Sequence, residues 1–380
     1  MTPEQNEVLT RVGPGTPGGE FLRRYWWPVW FSQELTKKQV EVRLLGESFV
    51  LFRKPNGEAG MLDIACPHRR ASLIHGRVED CGLRCCYHGW LFDTDGKCVE
   101  MPAEPPGSKL HLEVHQRAAK IEEAGGLIFA YLGPDPAPVF PRYDLLFREN
   151  CDRTVWAKED QCNWAQRAEN GVDSFHSMVL HAPVYPSMAM KRPEVTWTQT
   201  PQGFRMHSVY PGRKENVSHH IFPSTSRRRN ERIGSAPSDF MHFRVPNDDI
   251  QTTTFYVKVV TKTEGPYKQE CKGIERPPRG IYEQVDDGWW GLASSEQDRA
   301  AQESQGLIHD RTKEFLATSD YGVVLWRNLV FESIEAVKRG ADPYGIMRDD
   351  SAKDKLIVFD AGKNFTDHDK DHPVEENALA

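Results

Sequence analysis

No stretch of this chain approaches the roughly 18 consecutive apolar residues that a membrane-spanning helix needs. Gly126-Leu127-Ile128-Phe129-Ala130-Tyr131-Leu132 is apolar but short, and reads as a buried strand. The opening Met1-Thr2-Pro3-Glu4-Gln5-Asn6-Glu7 has neither a basic n-region nor an apolar h-region, so no secretory signal is expected and a cytoplasmic location is the expectation. Positive charge is not in excess. Lys and Arg number 48 against 55 Asp and Glu, a formal net charge of −7, which argues against a general nucleic-acid binder because a phosphate backbone needs a basic face. The run Ser226-Arg227-Arg228-Arg229-Asn230-Glu231-Arg232 is local and reads as a solvated loop. No G-x-G-x-x-G fingerprint occurs, so a nicotinamide cofactor should bind elsewhere.

What is present fits a soluble globular protein: 380 residues, 38% apolar and 27% charged, with room for two to three domains. Eight cysteines occur, five of them between Cys66 and Cys98. Clustered cysteines in a cytosolic chain point to metal or redox chemistry rather than disulfides. Residues 1–25 read as a polar N-terminal segment with turns at Gly13-Pro14-Gly15 and Pro17-Gly18-Gly19. From residue 26 to 138 short strands dominate. Val40 to Phe52 alternates, Pro55-Asn56-Gly57 is a turn, and Met61 to Ile64 returns. Gly89-Trp90-Leu91-Phe92 followed by Asp95-Gly96 is a second hairpin signal. The expectation is a small antiparallel β domain.

Two loops in it carry metal-binding residue types: Cys66-Pro67-His68 and Cys85-Cys86-Tyr87-His88. Zinc modules usually pair Cys with Cys and His with His in each knuckle. Here each loop is mixed, which suits a [2Fe–2S] cluster with two thiolates on one iron and two imidazoles on the other. Spacing alone cannot choose Cys85 over Cys86, because Cys86-Tyr87-His88 repeats the first loop.

A hundred residues on, Glu169-Asn170-Gly171-Val172-Asp173-Ser174-Phe175-His176-Ser177-Met178-Val179-Leu180-His181 supplies a carboxylate and two imidazoles. Two His and one carboxylate from elsewhere form a facial triad that holds Fe(II) and leaves positions for dioxygen and substrate. In a regular helix His181 would lie about 140° around the axis from His176, so a straight helix cannot aim both rings at one ion. Pro183 suggests a helix ending near Ala182, with His181 on a non-helical path or re-aimed by a π-bulge.

Cys-x-His, sixteen residues, then Cys-x2-His resembles the Rieske signature, which selects Cys66, His68, Cys85 and His88 and leaves Cys86 a buried bystander. With Asn170-x2-Asp173-x2-His176-x4-His181 downstream, the chain resembles the catalytic α subunit of the Rieske non-heme iron oxygenases. Glu4 to Gly19 and Asp298 to Gly306 resemble the phthalate-dioxygenase-like branch. The resemblance implies an α+β fold: an N-terminal antiparallel β Rieske domain, then a C-terminal helix-grip catalytic domain over residues 139–350, a curved antiparallel sheet around a long helix. It implies that His176, His181 and Asp298 hold the mononuclear iron. Asp173 would bridge a His ligand of that iron to His88 of the next subunit, as the inter-subunit electron path. It further implies dioxygen as co-substrate, NAD(P)H used only through a separate flavin and iron–sulfur reductase, a homotrimer or hexamer, and a small aromatic substrate, with aromatic carboxylates favoured. Arg205 and Arg244 are candidate carboxylate partners, and Phe175 and Met178 candidate pocket residues.

Strand patterns at Asp239–Pro246 and Thr252–Val260 flank an Asn247-Asp248-Asp249 turn. Ser319 is placed as the cap of a long helix ended by Gly340 and Pro343. Residues 351–380 read as a polar tail that frays from Asp367 to Glu376. Two other classes stand beside this reading: a Rieske electron carrier without oxygen chemistry, which would not need His176, His181 and Asp298, and a zinc-stabilised binding module.

Overall fold

The structure is a computed structural model and describes residues 1–212, 215–230, 236–280 and 291–359. The N-terminal segment is helical where turns are predicted: α1 (Pro3–Thr10) is followed by α2 (Pro17–Leu22). Thr16 accepts from the Gly19 amide at 3.1 Å, and Pro17 enters the first turn with its φ already helical, so Pro-Gly-Gly opens a helix. Glycine is required at Gly18 by close approach. A Cβ there would lie 2.6 Å from the carbonyl oxygens of Val8 and Arg11.

The first lobe contains β1 (Trp27–Phe31), β2 (Val40–Leu44), β3 (Glu47–Arg53) and β4 (Ala59–Asp63). Short strands β5 (Arg77–Glu79), β6 (Gly82–Arg84), β7 (Leu91–Phe92) and β8 (Cys98–Glu100) follow, then β9 (Ala118–Ala124) and β10 (Leu127–Tyr131). Six strands pair in the order β1-β10-β9-β4-β3-β2, and β5 to β8 form a separate four-stranded sheet. Both hairpin signals and the fully buried β10 are as expected. Val50, Phe52, Leu62, Leu73, Leu83 and Phe92 fill the space between the two sheets, and Cys66 and Cys85 belong to that cluster.

After the one-turn α3 (Asp144–Phe147), the second lobe is built on an eight-stranded sheet. Its strands are β11 (Cys151–Asp160), β12 (Glu194–Thr200), β13 (Gly203–Val209), β14 (Asn216–Ile221), β15 (Thr225–Asn230), β16 (Ser238–Pro246), β17 (Thr252–Thr261) and β18 (Gln269–Glu275), in the order β12-β13-β14-β15-β16-β17-β11-β18. One pair departs from the antiparallel expectation: β11 and β18 are parallel. The chain reverses after β17 and passes over β11, so β18 runs with β11 rather than against it. The arginine run also departs from expectation. Thr225–Asn230 is an interior strand, and Arg227 is buried with Nη2 3.0 Å from Asp239 Oδ1. That carboxylate offsets the cost of burying the cation. Glu231 and Arg232 lie outside the described residues.

Against one face of the sheet lie α4 (Trp164–Val172), α5 (Ser294–Ser304) and α6 (Tyr321–Lys338). The N-cap of α6 is Asp320 rather than Ser319; the Asp320 carboxylate closes the preceding turn by accepting from the Ala317 amide at 2.7 Å. Gly340 ends the helix at φ +79°, as predicted. Trp326 of α6 meets Trp164 of α4 edge-on at 5.4 Å and donates its indole N–H to Pro223 O at 2.7 Å. Residues 352–359 are not wholly a tail: Ile357 bridges Tyr143 and Phe359 is buried, while Asp367–Glu376 lies outside the described residues.

Candidate metal centres

The two Cys/His loops are tight turns closed on their own cysteines. Arg70 N donates to Cys66 O at 2.9 Å and Gly89 N to Cys85 O at 3.2 Å, while the Cys66 and Cys85 amides donate to Ala71 O and Trp90 O. Gly89 sits at φ +75°, a conformation that favours glycine. The turns bring the rings of His68 and His88 to 4.4 Å between centroids, and Trp90 stacks on His68 at 4.3 Å. Cys66 and Cys85 are buried beside each other, which separates Cys85 from Cys86 where spacing could not. The expectation for Cys86 is corrected in one respect: it is exposed, because neighbouring residues in the turn point in opposite directions.

Burial pushes the Cys66 thiol up to about 11, and the neighbouring Cys85 adds to the shift. A cation must therefore supply the charge that turns these thiols into ligands. Among the described residues only His176, His181 and Asp298 form a set of three or more donors close enough together for one ion. The Cys/His loops are thus too spread for a single tetrahedral zinc, and their donor chemistry fits a two-metal cluster.

The second centre begins where α4 stops. The helix ends at Val172, ten residues before the predicted Ala182. Asp173 ends it: Oδ1 accepts from the Phe175 amide at 2.7 Å, a local side-chain bond that competes with continued helix. The next turn is 3₁₀, over Phe175–Met178, and the Leu180 amide returns to His176 O at 2.7 Å. This broken path resolves the 140° problem. His176 Nε2 lies 3.5 Å and His181 Nε2 3.2 Å from the same oxygen, Asp298 Oδ1, brought by α5.

Each ring is oriented from behind. Asp173 Oδ2 lies 3.1 Å from His176 Nδ1, and a carboxylate can only accept, so Nδ1 carries the proton. Gln297 Oε1 lies 3.0 Å from His181 Nδ1. Both Nε2 lone pairs then face one carboxylate oxygen, an arrangement that repels itself without a cation and suits a 2-His-1-carboxylate metal. Asn170 Nδ2 donates to Asp298 Oδ1 at 3.2 Å. Burial raises the Asp298 pKa, but the hydrogen bond from His181 and the charges of His176, His181 and Arg167 outweigh it and hold the group well below its usual range. Burial likewise opposes ionisation of Asp173, and the His176 hydrogen bond reverses it.

The roles of Gln297 and Asn170 were not read from the sequence, although both flank quoted motif residues; no periodicity marks a residue that holds another. Glu169 was missed for the same reason. It is gripped by Arg311 at 2.8 and 2.7 Å and by Arg327 at 2.8 Å, which ties α4 to α6 and to the segment after α5.

The four substrate candidates divide. Phe204 lines a small cavity with Ala168 and Val172 of α4, so its neighbour Arg205 on β13 points to the opposite face, away from the centre, and is corrected on that ground. Arg244 on β16 lies against α4. Phe175 packs with Trp197, Met206 and Tyr321 and has Arg192 5.7 Å over its ring. Met178 is half-buried, and its carbonyl accepts from the Met190 amide at 2.9 Å.

The Rieske [2Fe-2S] domain family matches residues 25–119. The 5,5'-dehydrodivanillate O-demethylase oxygenase subunit of Sphingobium sp. (strain NBRC 103272 / SYK-6) is 35% identical over 92% of this chain and 84% of its own length. The phenoxybenzoate dioxygenase subunit alpha of Ectopseudomonas oleovorans is 33% identical over 95% of this chain and 92% of its own. Among solved structures, NdmA of Pseudomonas putida CBB5 shares the fold at a TM-score of 0.66 and 21% identity, over 84% of this chain and 93% of that one. The chain belongs to the Rieske non-heme iron oxygenases, as a catalytic oxygenase subunit. It is an oxygenase that uses a Rieske [2Fe–2S] cluster, a mononuclear iron and dioxygen. The electron-carrier and zinc-module readings fall with that assignment. No helix among the described residues is long and apolar enough to cross a membrane.

Proposed function

We propose that this chain is the oxygenase component of a cytoplasmic multicomponent system that hydroxylates a small aromatic acid or removes an alkyl group from it. Residues 26–138 form the cluster domain, with Cys66, His68, Cys85 and His88 as ligands. Residues 139–350 form the catalytic domain, with His176, His181 and Asp298 holding the iron. When bound, the cluster supplies single electrons and the mononuclear iron supplies the place where dioxygen is activated beside substrate. The chain's own residues do the positioning. Asp173 holds the proton on His176 Nδ1, Gln297 orients His181, and Asn170 steadies the Asp298 carboxylate. Trp90 covers one face of His68.

Electrons come from a separate NAD(P)H-dependent reductase. Asp173 links His176 to His88 of the partner subunit in a cyclic trimer or a pair of trimers. The observation that carries the reading is the meeting of two imidazole nitrogens and one carboxylate oxygen at the broken end of α4. The names of the two relatives, a dehydrodivanillate demethylase and a phenoxybenzoate dioxygenase, support an aromatic carboxylate. The test is a screen of aromatic acids with a generic reductase, reading product by mass. Metal analysis should accompany it and give about three iron atoms and two acid-labile sulfides per chain. Iron-loaded protein that turns over none of them would reject the assignment.

A further inference from the structure

Buried arginines in this protein are ion-paired as a rule. Arg167 meets Asp160 at 2.9 Å, Arg227 meets Asp239 at 3.0 Å, Arg299 meets Glu296 at 2.9 Å, and Arg311 and Arg327 meet Glu169 at 2.7 and 2.8 Å. Arg244 is the exception. It is 7% exposed, and among the described residues its guanidinium contacts no carboxylate. Nη1 donates to Ser224 O at 3.3 Å and to Ser226 Oγ at 3.2 Å, while Nε has no partner and Nη2 makes no hydrogen bond among the described residues. Nε and Nη2 together form the side of the guanidinium that grips a carboxylate with two parallel hydrogen bonds. Arg311 uses that same pair of atoms on Glu169. Arg244 thus presents an empty carboxylate fork inside the protein.

The fork sits beside the iron site. A Cβ built on Gly171, two residues before Asp173, would lie 3.2 Å from the Arg244 guanidinium. A cavity of about 10 Å³, room for one small polar group, is bounded by Arg244, His220 and Val172. Strand alternation and register put His220, Ser226, Arg228, His242 and Arg244 on one face of β14 to β16, the face that meets α4. Burial, with the charge of Arg244, pushes His220 down to about 3, and burial with Arg228 and Arg244 holds His242 well below its ordinary value. Both imidazoles are therefore neutral and add hydrogen-bonding capacity without further charge. Arg228 is exposed, makes no ion pair among the described residues, and its charge reaches His176. A buried cation left unpaired is costly, and an incoming anion removes that cost.

We propose that the Nε/Nη2 edge of Arg244 is the seat of the substrate carboxylate, with His220 beside it and Arg228 at its mouth, so that the enzyme selects aromatic acids over their esters. This rests on the reading of the chain as an aromatic-acid oxygenase and assigns the residue that makes the choice. An Arg is suited to it because a bidentate fork fixes the direction of the ring as well as binding it.

The experiment is calorimetric titration of the iron-loaded holoenzyme with 4-methoxybenzoate and with its methyl ester, for wild type, Arg244→Gln and Arg244→Lys. Wild type should bind the acid at least about tenfold tighter than the ester. Arg244→Gln should bring the two within about twofold, and Arg244→Lys should fall between, keeping charge without the fork. Equal binding of acid and ester by wild type, no binding of the acid, or an undiminished preference in Arg244→Gln overturns the proposal. If Arg244→Gln does not fold, Arg228→Gln at its exposed position carries the test. A severalfold loss for the acid with the ester unchanged supports the seat, and no change overturns it. Dioxygen uptake and a mass-identified product from the ester alone would sink the seat while leaving the oxygenase reading intact.

Discussion

His181 Nδ1 lies 3.0 Å from the side-chain oxygen of Gln297, the residue immediately before Asp298. One turn of α5 therefore supplies both a metal-facing carboxylate and the group that aims an imidazole at the same point. Gln297→Leu removes the acceptor at a fully buried position and frees the ring to turn. Metal affinity at this centre should fall about 10- to 100-fold, the usual cost of losing such a partner. Iron content after dialysis against a graded chelator measures it. The visible spectrum of the cluster in the other lobe should be unchanged.

Asp298→Ala takes away the oxygen on which both Nε2 atoms converge. The mononuclear iron should be lost and turnover abolished, with the cluster spectrum intact. Retained turnover would remove Asp298 from the ligand set.

Asp173→Asn keeps the shape of the turn but replaces an acceptor-only group with one that can also donate. The cluster should still reduce at its normal rate. Product formed in a single turnover, with the cluster reduced beforehand, should collapse.

The two adjacent cysteines separate cleanly. Cys85→Ser should abolish the cluster's absorbance, because the buried thiol beside Cys66 is gone. Cys86→Ser, at an exposed position, should leave absorbance and turnover as they were. The reverse result would mean that the turn is read in the wrong register.

Acid stability carries a signature of Glu314. Burial raises its pKa, but hydrogen bonds from His309 and Arg327 outweigh burial and lower it from 4.5 to about 2. A depressed carboxylate contributes stability that is present above its unfolded value and is lost as pH falls through the folded one. That contribution should be complete above about pH 4.5 and disappear towards pH 2. Denaturant midpoints for wild type and Glu314→Gln should differ at pH 6 and converge over that window.

Local sequence was enough for the chemistry of each centre and for many of the strands that hold it. Mixed Cys/His loops, two spaced imidazoles and the alternation of β3, β16 and β17 are short-range patterns, written by spacing and side-chain type. The errors were made where long-range partners decide. The arginine run is a strand because Asp239 on β16 accepts Arg227, and Pro17-Gly18-Gly19 is a helix because α1 lies against it. The helix carrying Asp173 ends early because a single carboxylate prefers a nearby amide.

What the amino-acid sequence determined alone is which atoms are available as ligands and the order in which they come. Only the tertiary structure decided that Cys85 and not Cys86 turns inward, that Gln297 stands behind His181, that Arg205 faces away, and that Arg244 is left without a carboxylate. The physical reason is the same each time. Direction and pairing belong to side chains brought together from distant strands and helices, and no local pattern encodes a partner more than a hundred residues away.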